Sequence, residues 1–599
     1  MKRNKIKILT ILSAVMIFMS SCEKKVLDLE PYTSFSDASA FTDAAKVNLA
    51  INGVYDAAQS GFYAGGVIRG YPFGAASIQQ GDMRGEDMAN VAAFYQITYE
   101  ATYNNSSPNN GFQFQTLYAL INKANLVIEG VNEAVSKGII PAATGNTYVA
   151  ECRFLRALAH HELVINFARP YADGNGNKLG IIYRDFGINS EAKAEKARAL
   201  KREDFPVSLV YTKILEDLDY AEINLPNAAS IKTYRASKAA AIALKMRVKM
   251  HMADWPGVIA EGNKIISANA PFTSSIGGWK LTTAPDGPFA SNTSDENIFS
   301  IRNDATDNPG VNGALANMLG DPAINGRGLV VVSPIIWSNN RWLCSDLRRA
   351  SSLIRVPQNV VTGSISNDTL RLSAIVTGRL AVGQTLTGTG IAPGTTILSL
   401  ISGSGVNAIY RVSVSQTVPA GTRITASEVV LYSNKYRDIA ALGDAAPIIR
   451  YAEVLLMQAE AEARNDASVS ARALALLNAV RNRAVTTPAD QYTLAAFPNK
   501  NALIGDILLE RRIEFIAEGK RWGDIHRLAL DPNFAPFAGG GIPAKIGSGA
   551  TNGTWFNCAG VASITRSVNS IPYSDFRFLW PIPLAEIQQN PNYTQNPGY

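Results

Sequence analysis

Six apolar side chains in VSLVYTKILEDLDYA fall three or four residues apart: Val207, Val210, Tyr211, Ile214, Leu218 and Ala221. That spacing puts them on one side of an α-helix, which must bury the stripe against a neighbour. Asp204 is placed to cap this helix, Pro206 suits its first turn, and Pro226 follows its end. YVAECRFLRALAHHELVINF repeats the pattern through Phe154, Ala157, Leu158, His161 and Ile165. FQFQTLYALINKANLVIEGV, KAAAIALKMRVKMHMADW, PGVIAEGNKIIS, RYAEVLLMQAEAEAR, ARALALLNAVRNRA and ALIGDILLERRIEFIAEG are further candidates. Several come in pairs joined by a short turn, the unit of a helical-hairpin repeat, although no fixed period recurs. Ala452, Ala459 and Ala463 allow close helix approach. A mainly α fold follows.

Two kinds of segment interrupt the helices. Stretches near 60–110, 270–345 and 530–580 are rich in Gly, Asn, Pro and aromatics, and loops of that length are uncommon unless they carry function. The block 357–430 differs from everything else. It is Thr/Ser/Gly/Val-rich and holds no Lys, Phe, Trp, Met, His or Cys. Its β-branched runs Leu370–Val376, Thr395–Ile401 and Ala408–Val418 alternate between Gly and Pro-Gly breaks, with Tyr410, Val412 and Val414 on one strand face. The expectation is an inserted all-β domain of five or so strands, which resembles the Gly/Thr-rich β modules of phage tail and bacterial surface proteins.

At the N-terminus, Lys2, Arg3, Lys5 and Lys7 precede an apolar run from Ile8 to Met19, the charge order and length of a signal peptide and too short for a membrane span. Met19-Ser20-Ser21-Cys22 resembles a bacterial lipobox, which implies removal of 1–21 and lipidation of Cys22. Of the formal charge of +6, four positive charges lie in the leader, so the remainder is near neutral. With no dense Lys/Arg block, nucleic acid is not an expected partner. Cys152, Cys344 and Cys558 are the other cysteines: at most one bridge can form, and the sequence does not choose the pair.

Catalytic and metal motifs are missing. His160-His161-Glu162 starts like a zinc-protease HExxH, but the second ligand position holds Ile165, so the pair reads as structural and no metal or cofactor is expected. No P-loop, GxSxG elbow or strand-following GxGxxG occurs.

Three C-terminal stretches carry a specific resemblance. IIRYAEVLLMQAEAEAR (448–464), LLERRIEFIAEGKRWGDIHRL (508–528) and LWPIPLAEIQQNPNYTQNPGY (579–599) resemble the signature segments of the SusD/RagB family of outer-membrane nutrient-binding lipoproteins. LDLEPYTSFSDASAFTDAAKVNLAINGVYDAA and FQTLYALINKANLVIEG resemble its opening segment and first helical repeat. The resemblance covers nearly the whole chain except the β block 357–430, which ordinary members lack, and implies a right-handed superhelix of tetratricopeptide-like helix pairs; the block divides it into 22–356 and 431–599. It also implies an irregular loop face for ligand, a SusC-type TonB-dependent transporter barrel as partner, and an outer-membrane location through the N-terminal lipid. The family's ligands are oligosaccharides or, alternatively, peptides.

The signature acids read as scaffold. Glu510, Arg511 and Glu514 share a helix side, where acids pair with arginines more readily than they form a catalytic pair across a cleft. Gly519 suits a helix C-cap. A sugar site needs aromatic faces and planar polar side chains. Two loops have both: Asp82, Arg84, Asp87, Tyr95, Tyr99, Tyr103, Asn104 and Asn110 in one, Trp337, Asn339, Asn340, Arg341 and Trp342 in the other. The candidate ligand residues are Asp82, Arg84, Asp87, Tyr95, Tyr99, Asn104, Trp337, Arg341 and Trp342.

Overall fold

The structure, a computed structural model, describes residues 39–60, 69–227, 232–357, 359–427, 430–549 and 552–599. The leader and Cys22 lie outside the described residues.

The stripes become a stack of helices. The chain runs through α1 (Ala44–Gln59), α2 (Ala75–Met83), α3 (Pro108–Ser136), α4 (Ala142–Phe167), α5 (Val207–Asn224), α6 (Lys238–His251) and α7 (Trp255–Gly262). After a long excursion it returns through α8 (Tyr451–Asn465), α9 (Ala471–Arg481), α10 (Lys500–Glu514) and α11 (Arg521–Leu528). Packing follows chain order: α1 on α3, then α3 on α4, α4 on α5, α5 on α6, α6 on α7. The stack closes over the excursion, because α7 packs on α8 and α8 on both α9 and α10. Short connections join α3 to α4, α6 to α7 and α8 to α9 as the helix hairpins of a tetratricopeptide-like array. Among the described residues, no helix is long and apolar enough to cross a membrane.

The helix α5 buries the whole expected stripe, from Val207 to Ala221. Its start differs. Pro206 stands at the cap position with no side-chain cap bond, and Asp204 ends a separate 3₁₀ turn. Pro206 instead pairs with Leu179 in an isolated bridge, which fixes it in extended backbone. Gly519 is not the C-cap of α10. That helix stops at Glu514 with Phe515 at the cap, and Gly519, at φ +74°, turns the chain toward α11.

Among the described residues, ten strands lie in the excursion and loops: β1 Met88–Asn90, β2 Asn297–Ile301, β3 Val330–Val332, β4 Ile354–Arg355, β5 Asn359–Thr377, β6 Leu386–Gly388, β7 Ile397–Ser402, β8 Ile409–Ala426, β9 Tyr432–Ser433 and β10 Ala446–Arg450. β5 to β8 form a four-stranded sheet with β8 central. Two of its strands are long and broken by register shifts, which is why four elements replace the five or so expected. The end of β5 returns beside its own start, as the Thr362–Ser373 hydroxyl bond shows (3.0 Å). This sheet encloses a separate core of Val361, Ile365, Leu370, Leu386, Ile397, Tyr410, Val412, Val418 and Ile424. Its two ends meet where β4 and β9 pair antiparallel, Ile354 opposite Ser433 and Arg355 opposite Tyr432.

Candidate functional site

The antiparallel pairing of β1 with β3 sets Met88 opposite Val332 and Asn90 opposite Val330, and so brings two of the long loops together. All six strand residues are buried. One end of this ladder leads into the Pro334–Trp337 helical turn, which Ser333 caps by accepting a hydrogen bond from the Ile335 amide (3.2 Å).

Trp337 is half-buried, and two groups fix it from within. The Trp342 ring meets it edge-on, with centroids 5.6 Å apart. The Arg349 guanidinium lies 4.4 Å from the Trp337 centroid and 4.2 Å from that of Trp342. Arg349 also donates to the carbonyls of Leu343 (2.9 Å) and Trp342 (2.5 Å), while its buried Nη1 has no partner. Burial lowers its pKa to about 10. A disulfide between Cys344 and Cys558 ties this segment to the 552–560 loop. Ser338 Oγ reinforces the tie: it donates to the Trp555 carbonyl and accepts from the Asn557 amide (3.0 Å). The resulting surface carries half-buried Trp337, Asn339, Trp555 and Phe556, with exposed Asn340, Arg341 and Asn557. Arg341 pairs with Asp506 on α10.

Against the nine candidate ligand residues, the structure corrects six. Asp82, Arg84, Asp87, Tyr95, Tyr99 and Trp342 are all buried, between 0% and 3% exposed, and offer no surface to a ligand. All six have partners inside the protein, and the reason is physical: long irregular loops bury backbone and polar groups that need internal partners. Asp82 accepts from the Gly519 amide (3.1 Å). Asp87 receives the Arg512 guanidinium (2.9 Å from Nε). Arg84 lies 3.2 Å from the Trp522 centroid and 4.8 Å from that of Trp580, and donates to Asn166 and to the Phe578 carbonyl. Tyr99 donates to the Ile546 carbonyl (2.9 Å), and Tyr95 packs edge-on against Phe94. Trp342 backs Trp337. Asn104 is exposed, but its side chain accepts from the Ser106 amide, and none of its bonded partners belongs to the Trp337 group. Trp337 and Arg341 alone of the nine share one surface.

Sequence reasoning missed a second aromatic patch at the other end of the ladder. Arg69 lies 5.7 Å from the Phe94 centroid and 5.6 Å from that of Phe112; Arg327 lies 5.9 Å from Phe94 and bonds Asn312. Phe94 adjoins Tyr95 in AAFYQ and was hidden behind the richer tyrosine pattern; nothing local marks Arg69 or Arg327.

The signature acids form an interior ionic network. Arg450 contacts Glu296 (2.5 Å), Glu514 (3.0 Å) and Glu518 (2.8 Å). Arg483 bridges Glu296 and Glu514 (2.5 and 2.6 Å), and Arg348 holds Asp346, Glu510 and Glu514. Burial alone would raise the pKa of Glu514, but Arg483, Arg450 and Arg348 outweigh it and hold it at about 2. Each of these acids is 4% exposed or less. Glu510 and Glu514 are therefore neutralised inside the protein, not set across a cleft. The His160 ring donates from Nδ1 to the Arg156 carbonyl and accepts at Nε2 from the Arg184 amide, a structural role. Among the described residues, no three side chains are grouped to hold a metal ion.

The β5–β8 sheet borders the Trp337 surface. Ala381 and Tyr432 pack in one apolar cluster with Val331, Ile335, Ile546 and Trp555. A Cβ at Gly383 would meet the Asn552 side chain at 2.3 Å, which shows how closely the sheet approaches the 552–560 loop.

A stacked-hairpin α protein with a loop-built face and a separate small sheet is the class these features define. The chain belongs to the SusD/RagB family. Residues 419–599 match the SusD family profile, and residues 25–250 match the profile described as starch-binding, associating with outer membrane. A relative named SusD-like protein P38, from Formosa agariphila, is 24% identical over 526 residues, covering 85% of this chain and 88% of its own. A SusD superfamily protein from Bacteroides fragilis superposes with a TM-score of 0.65 at 21% identity, covering 93% of this chain and all of its own. A SusD-like carbohydrate binding protein from Bacteroides vulgatus superposes with a TM-score of 0.61 at 15% identity, covering 92% of this chain and 97% of its own.

Proposed function

We propose that the protein is a cell-surface lipoprotein that binds oligosaccharide and hands it to a SusC-type TonB-dependent transporter in the outer membrane. The observation that carries the reading is the Trp337 surface. A half-buried indole, backed by Trp342 and Arg349, stands beside Asn339, Asn340 and Arg341 on loops held by a disulfide. Aromatic faces pack against sugar rings, and planar amides and guanidinium groups bond hydroxyls without a ligand charge to grip. The starch-binding description of the matching profile and the carbohydrate-binding name of the Bacteroides vulgatus neighbour support the same ligand class. Lipid on Cys22 would supply the membrane anchor.

The role is binding, not hydrolysis, because the conspicuous acids Glu510 and Glu514 are engaged by arginines. Affinity electrophoresis against a polysaccharide panel, with reducing-sugar release assayed in parallel, tests this. Retardation without release is expected. Release would make the protein a hydrolase, and binding of oligopeptides with no retardation by any glycan would make it a peptide carrier.

A further inference from the structure

The half-buried ring of Phe94 has two guanidiniums beside it, Arg69 at 5.7 Å and Arg327 at 5.9 Å from its centroid. Among the described residues, neither arginine has a carboxylate within ion-pair distance. Arg69 is half-buried, and its Nε has no hydrogen-bond partner. Exposed Arg327 is held by neutral groups, Asn312 and the Met318 sulfur (3.7 Å). Arginines elsewhere in the interior are answered: Arg450, Arg483 and Arg348 hold carboxylates, and Arg84 and Arg349 donate to carbonyls. A half-buried charge without a counter-charge is costly until something supplies one. The neighbouring loops have none to give. Segments 88–99, 322–345 and 532–574 contain no Asp or Glu, although these make up 50 of the 599 residues. Glu100, which follows the first segment, bonds Gln96 (3.0 Å).

We propose that Arg69, Phe94 and Arg327 form an anion subsite, and that the saccharide bound carries a negative group, a uronate carboxylate or a sulfate ester. The proposal rests on the glycan reading of the Trp337 surface. Arg327 precedes one end of the β1–β3 ladder and Trp337 follows the other, and a three-residue ladder spans roughly 10 Å, within the length of one oligosaccharide. The Trp337 surface then holds a ring face, and the two guanidinium forks hold the charged group, whose oxygens accept from them. Neither a uronate nor an arginine titrates between pH 5.5 and 8, so binding stays level there.

Calorimetry on the full chain would test it, with polygalacturonate and dextran sulfate as anionic probes, starch and dextran as neutral ones, and polyglutamate as the peptide control. One anionic polysaccharide should bind more tightly than every neutral probe, and which one does so separates carboxylate from sulfate. Arg327→Gln, at an exposed side chain, should weaken it about ten-fold. The double variant Arg69→Gln, Arg327→Gln should lose both the preference and its salt dependence, while Arg423→Gln, at an exposed arginine of the inserted sheet, should keep them. Circular dichroism would check folding. The proposal is overturned if neutral probes bind as tightly as anionic ones, if Arg327→Gln and the double variant bind unchanged, if Arg423→Gln weakens binding equally, or if polyglutamate alone binds. Binding of neutral glycans only would overturn it and leave the Trp337 reading standing, whereas binding of no polysaccharide would remove both.

Discussion

Cys344 and Cys558 are 214 residues apart in sequence and joined by a disulfide that fastens the Trp337 segment to the 552–560 loop. Two further bonds through Ser338 cross the same seam. The double variant Cys344→Ser, Cys558→Ser should therefore fold, with stability lower by about 2–4 kcal/mol. Glycan affinity should fall more than the loss of any single rim contact would predict, because the surface loses its fixed shape. Thermal melting and calorimetry would check this. Unchanged affinity would show that the seam does not shape the site.

The β5–β8 sheet should be removable. Its core is separate, and the β4–β9 pair already brings its two ends side by side. Joining Val356 to Leu431 through a short Gly/Ser linker should preserve helical circular dichroism and cooperative melting. Aggregation of the product would mean that the sheet belongs to the main core. Because Ala381 and Trp555 pack against the same apolar cluster, the excised protein should bind glycan with altered affinity.

How much of this was legible follows from periodicity. The α5 stripe and the compositional break around 357–430 are local signals, and both became the elements they suggested. The loops carried no such signal. An Asp, an Arg and two Tyr in a Gly/Asn-rich segment look the same whether they grip a ligand or staple the loop to residues 400 positions away. Asp87 with Arg512 and Arg84 with Phe578 are of the second kind. Likewise Trp337 and Trp342 are five residues apart, yet one is half-buried and the other buried, a difference set by Arg349 and the disulfide seam.

The ionic network should give the protein an acid limit. Glu514 has a folded pKa near 2, below its usual value, so its contribution is fully present above pH 4.5 and is lost as pH falls toward 2. Glu514→Gln leaves Arg450 and Arg483 short of a buried counter-charge and should cost about 3–5 kcal/mol at pH 7. The gap in melting temperature between the two proteins should narrow between pH 4.5 and 2.5. A constant gap over that range would contradict the assignment.

On the proposed lipid anchoring, Cys22→Ala should give a folded but unanchored protein, since the acyl chains would supply the hold on the bilayer. Cell fractionation in a strain lacking the transporter is the check. Sedimentation with outer membranes there would refute lipid anchoring.

The most direct measurement is calorimetry of Trp337→Ala against the polysaccharide that the panel identifies. An aromatic stacking contact contributes about 0.5–1.5 kcal/mol beyond area burial, so with the lost area affinity should drop by about ten-fold or more. Circular dichroism should be unchanged, and wild-type affinity should stay level between pH 5.5 and 8, because the histidines are buried elsewhere. Wild-type affinity in the Trp337→Ala protein would place the glycan site off this surface and contradict the account.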